Sequence, residues 1–257
     1  MRRFPPLPVS QRAVWARRIA YFGLAVVIAG LFLLRYRPVP LNGGFAVLAA
    51  GFGIVLVAAL AALWAFAQIW RTGARGAPAA WRGLIVALCV LAWPAIIAVA
   101  ARQVPGINDI STDLEDPPAF GRARAAMLAR DNYSPGSSSP ETRAAQAAFY
   151  TDVKSLVLEI KPEDAYRIAR AAALKLGWRI VDEQPPAARS AGARFEALDQ
   201  TFLLRFPDDI AVRLRATAAG TRLDIRSVSR LGRSDFGVNA KRIRAFLAEA
   251  ASQAADL

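Results

Sequence analysis

Three long apolar runs fill the first hundred residues, and none contains an Asp, Glu, Lys or Arg: Ile19–Leu34, Phe45–Trp70 and Leu84–Ala101. Inside hydrocarbon no water is present to satisfy backbone N–H and C=O groups, so each run has to be a helix. Phe45–Trp70 is long enough to cross a core of about 30 Å with tilt. Ile19–Leu34 is short, but Val14 and Trp15 extend it, and Arg17, Arg18 and Arg35 flank it with side chains that can snorkel. Leu84–Ala101 carries Pro94, which is expected to kink it and which membrane helices tolerate. The reading is a three-helix membrane anchor over 1–103, with spans at about 14–34, 43–70 and 83–101 and short loops that make neighbours antiparallel. In the second span Ala46/Ala50, Ala58/Ala62 and Ala61/Ala65 stand at the spacing that allows close helix approach. Transport is disfavoured, because Gln68 is the only strongly polar residue in the runs and lies near an end.

The first run is not a cleaved signal peptide, because Arg35, Tyr36, Arg37 and Pro38 follow it where small residues would be required. Arg2 and Arg3 lack the surroundings of a twin-arginine signal. Arginine placement sets the expected orientation. Arg2, Arg3, Arg12, Arg17, Arg18, Arg71, Arg75 and Arg82 lie on one side and Arg35, Arg37 and Arg102 on the other. That asymmetry is expected to put the N-terminus in the cytoplasm and the C-terminal domain outside it.

Composition narrows the chemistry. The chain has 257 residues, no His, and a single cysteine, Cys89, inside an apolar run. An intramolecular disulfide, a Cys/His zinc site and any His-dependent catalytic arrangement are thereby excluded. The formal net charge is +13, carried mainly by Arg. With no nucleic-acid module visible, this charge reads as orientation signals and attraction to anionic headgroups. Neither a metal nor another cofactor is expected, and the bilayer is the first expected partner.

Residues 104–150 form an acidic, Pro- and Ser-rich junction. Asn108, Asp109, Asp113, Glu115 and Asp116 are oxygen ligands, but their spacing does not make a Ca²⁺ loop. They read better as an extended, Pro-stiffened segment with Asx turns, docked on the outer domain. Residues 119–130 suggest a short amphipathic helix, with Phe120, Ala123 and Met127 on one side, suited to a membrane surface. Residues 132–142 read as a flexible loop.

Residues 151–257 read as β-α-β-β-β-β-α, with room for one more strand. Alternation marks a strand at Lys154–Ile160. Pro162, with Glu163 and Asp164, opens a helix whose buried stripe is Ala165, Ile168, Ala169, Ala172 and Leu176, and Gly177 closes it. Strands follow at Trp178–Glu183, Arg194–Leu198 and Phe202–Phe206. The last of these turns at Pro207, Asp208 and Asp209 and continues as Ile210–Arg215. A hairpin turn at Thr217–Thr221 leads to Arg222–Ser229. A final helix, capped by Ser234 or Asp235, presents Phe236, Ile243, Phe246, Leu247 and Ala250. The fold class is α+β: a two-layer antiparallel sheet with two helices on one face, behind the three-helix membrane bundle. Ile210, Val212, Leu214, Leu223 and Ile225 face the helices. Arg213, Arg215, Arg222, Asp224 and Arg226 share the other face, joined by Arg194 and Glu196. That face is either an ordinary solvated surface or one that binds anions or partners.

The stretch Arg226–Leu247 crowds Ser227, Ser229, Arg230, Arg233, Ser234, Asp235 and Asn239 at a helix N-terminus, a natural anion site. The alternative is structural: Arg230 pairs with Asp235, Ser234 caps the helix, and Gly232 and Gly237 permit a tight bend.

Three segments together carry a resemblance. They are Asn108–Asp113 followed by Asp116, Pro117 and Pro118; Asp208–Arg215; and Arg226–Arg244. Over residues 104–255 the chain resembles the domain of unknown function 1499 family. The resemblance implies a bacterial membrane-associated protein and implies that the acidic junction belongs to the domain; it supplies no catalytic residue and no substrate. The leading expectation is a non-catalytic membrane protein whose outer domain binds a partner protein, or an anionic lipid or glycan, through Arg226, Ser229, Arg230, Arg233, Ser234, Asp235, Asn239, Arg213 and Arg215, with Asn108, Asp109, Asp113 and Asp116 as the junction motif. The alternative is a hydrolase or transferase acting on envelope material, with Ser227, Ser229 or Ser234 as nucleophile and Asp235 or Lys241 as base.

Overall fold

The computed structural model describes residues 8–121, 124–125, 127–128, 138–187 and 192–257. The chain divides into two compact units, 1–99 and 100–257.

The first unit is built from α1 (Gln11–Tyr36), α2 (Leu41–Thr72) and α3 (Ala77–Ala101). Each is long and apolar enough to cross a membrane. Ser10 starts α1: its hydroxyl accepts the Ala13 N–H and donates to Gln68 Oε1 at 3.0 Å, so the one polar side chain of the second run is satisfied at the end of its helix. α1 buries Ala13, Ala16, Ala20, Gly23, Val27, Gly30 and Leu34, alternating steps of three and four that keep one seam on one side. α2 answers with Gly44, Gly51, Val55, Ala58, Ala62 and Ala65. The backbones meet at glycine: a Cβ on Gly30 would stand 2.8 Å from the Leu48 backbone, and one on Gly51 2.8 Å from the Val27 nitrogen. Close approach therefore runs through Ala58, Ala62 and Ala65 as their spacing suggests, but not through Ala46 and Ala50, which are exposed. The seam repeats every seven residues from Gly44, and that period leaves 46 and 50 on the outer side. Arg2 and Arg3 lie outside the described residues.

The second unit comprises β1 (Asp109–Ser111), α4 (Pro140–Phe149), β2 (Leu156–Leu158), α5 (Pro162–Lys175), β3 (Arg179–Gln184), β4 (Gly192–Gln200), β5 (Pro207–Thr217), β6 (Gly220–Ser229) and α6 (Val238–Ala255). It is the antiparallel sheet with helices packed on it that the alternation of the sequence implies. The strand order is β3-β4-β5-β6, and β1 and β2 pair end to end along the free edge of β6. Phe195, Ile210, Val212, Leu214, Leu223 and Ile225 form the floor of the core. Ala165, Ile168, Ala169 and Ala172 of α5 and Ala240, Ile243, Phe246 and Ala250 of α6 form its roof. Trp178 stacks on Phe246, with ring centroids 5.0 Å apart.

Local sequence missed several features. Phe202–Phe206 is a turn rather than a strand, closed by Thr201 N–H to the Phe206 carbonyl and Arg205 N–H to the Thr201 carbonyl, with Arg205 at φ 53°. β5 then begins at Pro207 and includes Asp208 and Asp209; proline is tolerated at the first residue of a strand, where its missing N–H is least costly. The end of the 132–142 loop, from Pro140, opens α4, capped by the Ser139 hydroxyl; residues 132–137 lie outside the described residues. Phe236 is not part of the α6 stripe: it is half exposed, at φ 55°. The strand expected over Lys154–Ile160 shrinks to three residues because β6 offers only a short free edge beyond β1. Of the helix expected over 119–130, Ala123 lies outside the described residues. Arg124 and Leu128, which are described, are buried within the unit rather than laid on a surface.

Candidate functional site

Alternation along β5 and β6 turns Asp209, Ala211, Arg213 and Arg215, with Arg222, Asp224 and Arg226, away from α5 and α6. The acidic junction covers this face. Asp109, on β1, takes Arg226 in a two-point pair at 2.9 and 2.6 Å. Asp113 Oδ2 accepts from Arg213, Arg215 and Arg222 at 3.2, 3.0 and 2.8 Å. Its Oδ1 accepts the N–H groups of Glu115 and Asp116, an Asx turn that fixes the carboxylate in place. Asp224, fully buried beneath, receives the same three guanidiniums at 3.2, 2.9 and 2.9 Å. Asp116 adds a third carboxylate, bonded to Arg213 and Arg215 at 2.9 and 3.2 Å, with its side chain 68% exposed. Three arginines and three aspartates thus share one lattice. Burial pushes the Asp113 carboxyl up, but the Asp116 N–H and the guanidiniums of Arg222, Arg215 and Arg213 outweigh it and hold the group below the usual carboxylate range.

The other half of the face is closed in the same manner. Asp209 is bound by Arg230, with contacts of 2.7 and 3.1 Å, and by Arg124 at 2.8 Å. Phe120 lies between Arg124 and Arg226, with guanidinium carbons 4.2 and 5.3 Å from its ring centre. Glu196 is buried and accepts the Gly121 N–H at 2.5 Å through Oε1, while Oε2 has no partner among the described residues. Burial raises its carboxyl above the ordinary value; the Gly121 N–H and Arg194 oppose the rise, and the charges of Asp182 and Asp209 add to it.

A cleft of about 570 Å³ opens beside the arginine lattice, between Thr112–Asp116 on one side and Gln146, Tyr150 and Lys154 on the other. Arg215 and Arg222 line it, their side chains each 35% exposed, and Lys154 at its edge is exposed. Gln146 and Lys154 were not legible as site residues. Gln146 is buried in α4, where its amide accepts the Ser111 N–H and donates to the Ser111 carbonyl at 3.0 and 2.6 Å, standing in for a strand at the edge of β1. Only the Ser-Pro-Glu start of α4 signals that helix.

The bend before α6 is placed differently from the anion-site expectation. Arg230 points inward, 2% exposed, and pairs with Asp209 rather than Asp235. Asp235 is buried and caps α6 by accepting the Gly237 and Asn239 N–H groups; burial raises its carboxyl despite those bonds. Ser234 accepts the Phe236 N–H. Asn239 donates to the Asn108 carbonyl and to Ser229 Oγ, and accepts the Ser227 hydroxyl. Arg242 ties that group to Asp208 at 2.6 Å and Asp199 at 2.7 Å. Asn108 closes the bend by donating to the Gly232 carbonyl. Ser229, Arg230, Asp235 and Asn239 are therefore a buried lock, Arg226 is engaged by Asp109, and Arg233 is the arginine that the bend leaves exposed. Ser227 and Ser229 are enclosed in the same lock, which denies a substrate access to them as nucleophiles. The physical reason is sequence distance: Asp209 and Asn108 reach the bend only through the strand pairing of β5, β6 and β1.

Three membrane-length helices joined to an α+β domain, with a sheet sealed by helices on one side and by its own acidic leader on the other, define the class. The chain belongs to the family described as Protein of unknown function (DUF1499), which matches residues 109–249 and so takes in β1 through most of α6. Comparisons with curated proteins and with solved structures give no match.

Proposed function

We propose that this is a non-catalytic protein of the bacterial inner membrane, with its N-terminus in the cytoplasm and its second unit in the periplasm. In this reading the second unit binds an anionic envelope ligand, a phosphate-bearing lipid headgroup or glycan, in the cleft beside Arg215, Arg222 and Lys154. The observation that carries it is that these cations line an open space of about 570 Å³ while Arg226 and Arg230 are enclosed. Asp116 occupies the outermost anion position of the lattice and is its most exposed carboxylate, so an incoming phosphate takes the place of Asp116 on Arg213 and Arg215.

Charge distribution supports the orientation and argues against nucleic acid. All 20 acidic residues and 22 of the 33 basic ones follow residue 103, so residues 104–257 carry only about +2. The first 103 residues hold eleven arginines and no acid. The basicity of the chain thus belongs to its membrane segment, where it sets topology.

The test uses the detergent-purified full chain and glycerol 1-phosphate as probe, followed by native mass spectrometry and titration calorimetry. Binding is expected for the wild type, tighter binding for Asp116→Asn, and loss for Lys154→Glu. Equal behaviour of all three proteins discards the cleft. A reporter active only in the cytoplasm, fused after Leu257 and found active, reverses the orientation.

A further inference from the structure

The sheet has two ends, and the chain enters at only one of them. Val104–Asn108 runs along the end where β6 stops and β5 starts: the Ile107 carbonyl accepts the Asp235 N–H, the Asn108 carbonyl accepts the Ser229 N–H, and the Asn108 amide holds Gly232. The 201–206 turn belongs to the same end, since Gln200 pairs with Pro207 and the Arg230 N–H reaches the Pro207 carbonyl. Ile107 is six steps along the chain from Ala101, the last of α3, a reach of about 20 Å. Whatever surface α3 leaves is therefore within reach of this end by covalent length alone. The cations of the cleft lie elsewhere: Arg215 is eight residues along β5 from Pro207, about 27 Å away.

This entry end is unusually apolar for a solvated turn region. Phe202 is 93% exposed, Leu203 44%, Phe236 51% and Val238 40%. Arg205 and Arg233 of these turns and Arg102 of the leash are exposed, while Asp208, Asp209 and Asp235 of the same end are buried. Two of the three non-glycine residues at positive φ in the described chain sit here, Arg205 and Phe236. A bulky aromatic in the left-handed region is an outlier that the surrounding structure must enforce. Here Asp235 enforces it, by holding the Gly237 and Asn239 N–H groups, and the result turns the Phe236 ring out to the surface rather than into the α6 stripe.

We propose that this end is a membrane-docking tip: Phe202, Leu203 and Phe236 insert at the headgroup–acyl boundary, and Arg102, Arg205 and Arg233 engage anionic headgroups. The occupant is the lipid surface rather than a protein. The covalent leash brings the tip to the bilayer, and aromatic side chains rimmed by arginine match the interface in polarity and sign. Docking holds the sheet by its entry end, which leaves the hairpin end, with Arg215 and Arg222 beside it, facing the aqueous side.

The test places an environment-sensitive fluorophore on single cysteines in the full chain, on a Cys89→Ala background, at Phe202→Cys and at the opposite end at Ala218→Cys. The protein is held in nanodiscs of phosphatidylcholine and phosphatidylglycerol, some carrying acyl-chain nitroxide. The label at position 202 is expected to be quenched by the lipid nitroxide and shielded from iodide in the buffer. The label at 218 is expected to show the reverse. Omitting phosphatidylglycerol, or Arg205→Glu with Arg233→Glu, is expected to weaken the lipid quenching at 202 several-fold. Iodide quenching at 202 equal to that at 218 overturns the proposal. So does shielding at 202 from both quenchers, which would mean that protein covers the tip. Both positions are exposed turn residues, and unchanged elution of the labelled chains confirms that the fold is retained.

Discussion

The two faces of the sheet are closed by opposite means. On one face α5 and α6 lay alanine, isoleucine and phenylalanine over Phe195, Ile210, Val212, Leu214, Leu223 and Ile225. Nothing there has to be matched except volume, so the closure rests on removing apolar area from water. On the other face residues 109–121 lay aspartates over arginines. Each charge there loses hydration and is compensated only if its partner arrives in register. The first face tolerates substitution by shape; the second depends on pairing, and it is the face on which the junction and the strands must be matched to one another.

Four measurements would break or sharpen that contrast, each read as hydrogen-exchange protection of β5 and β6 peptides in the detergent-purified chain, which reports local opening rather than a global transition. The largest effect is expected on the apolar face. Phe246→Ala, which removes a fully buried ring stacked on Trp178, should cost about 3–5 kcal/mol with little dependence on salt. Asp224→Asn comes next. It leaves three guanidiniums with one buried counter-charge fewer, but their side chains are 20–35% exposed and keep Asp113, so about 2 kcal/mol is expected. A loss at Asp224 larger than at Phe246 would mean that the ionic face dominates stability.

Gln146→Leu should cost about 1–3 kcal/mol, confined to β1 and its partner residues in β6, because the backbone N–H and C=O of Ser111 lose their partner in a buried setting. Uniform loss across the sheet would show that the junction strand is integral to the whole rather than an edge piece. At the small end, Asp116→Asn should change protection by no more than about 1 kcal/mol, and less in high salt, because its carboxylate is largely exposed.

Acid should act on the two kinds of buried carboxyl with opposite sign. Glu196, Asp208 and Asp235 have folded values raised above their ordinary 4.5, 3.8 and 3.8, in each case chiefly by burial. Such a group is charged at a cost above its folded value, and the cost vanishes below its unfolded value, so these three favour the fold as pH falls through their folded values toward 4.5 and 3.8. Asp113, whose value is lowered, contributes stability above 3.8 that is lost as pH falls through its folded value. Protection should therefore rise slightly on mild acidification and fall only below about pH 4. Glu196→Gln should flatten the rise; an unchanged profile in that variant would remove Glu196 from the account.

The order β-α-β-β-β-β-α was legible because alternation at Ile210–Leu214 and Leu223–Ile225 and the Pro162-Glu163-Asp164 helix start are local signals. The same alternation separated the two faces correctly. It was silent on what covers them. The Asp113 and Asp116 side chains reach Arg213 across 100 and 97 residues, and Asp109 reaches Arg226 across 117. The bend around Arg230 read as an anion site for the same reason: a cluster of polar residues at a helix start looks identical from within its own segment whether an external anion or Asp209 satisfies it.

By itself, the sequence determined which segments are too apolar to leave hydrocarbon and which strands have one wet and one dry face, because hydrophobic period is a property of neighbours along the chain. Only the tertiary structure decided that the wet face is not wet, that Arg230 and Asn239 are internal, and that Arg215, Arg222 and Lys154 flank an open cleft. Those outcomes depend on which carboxylate reaches which guanidinium, and the junction's path across the sheet, not the residues' own segments, sets that.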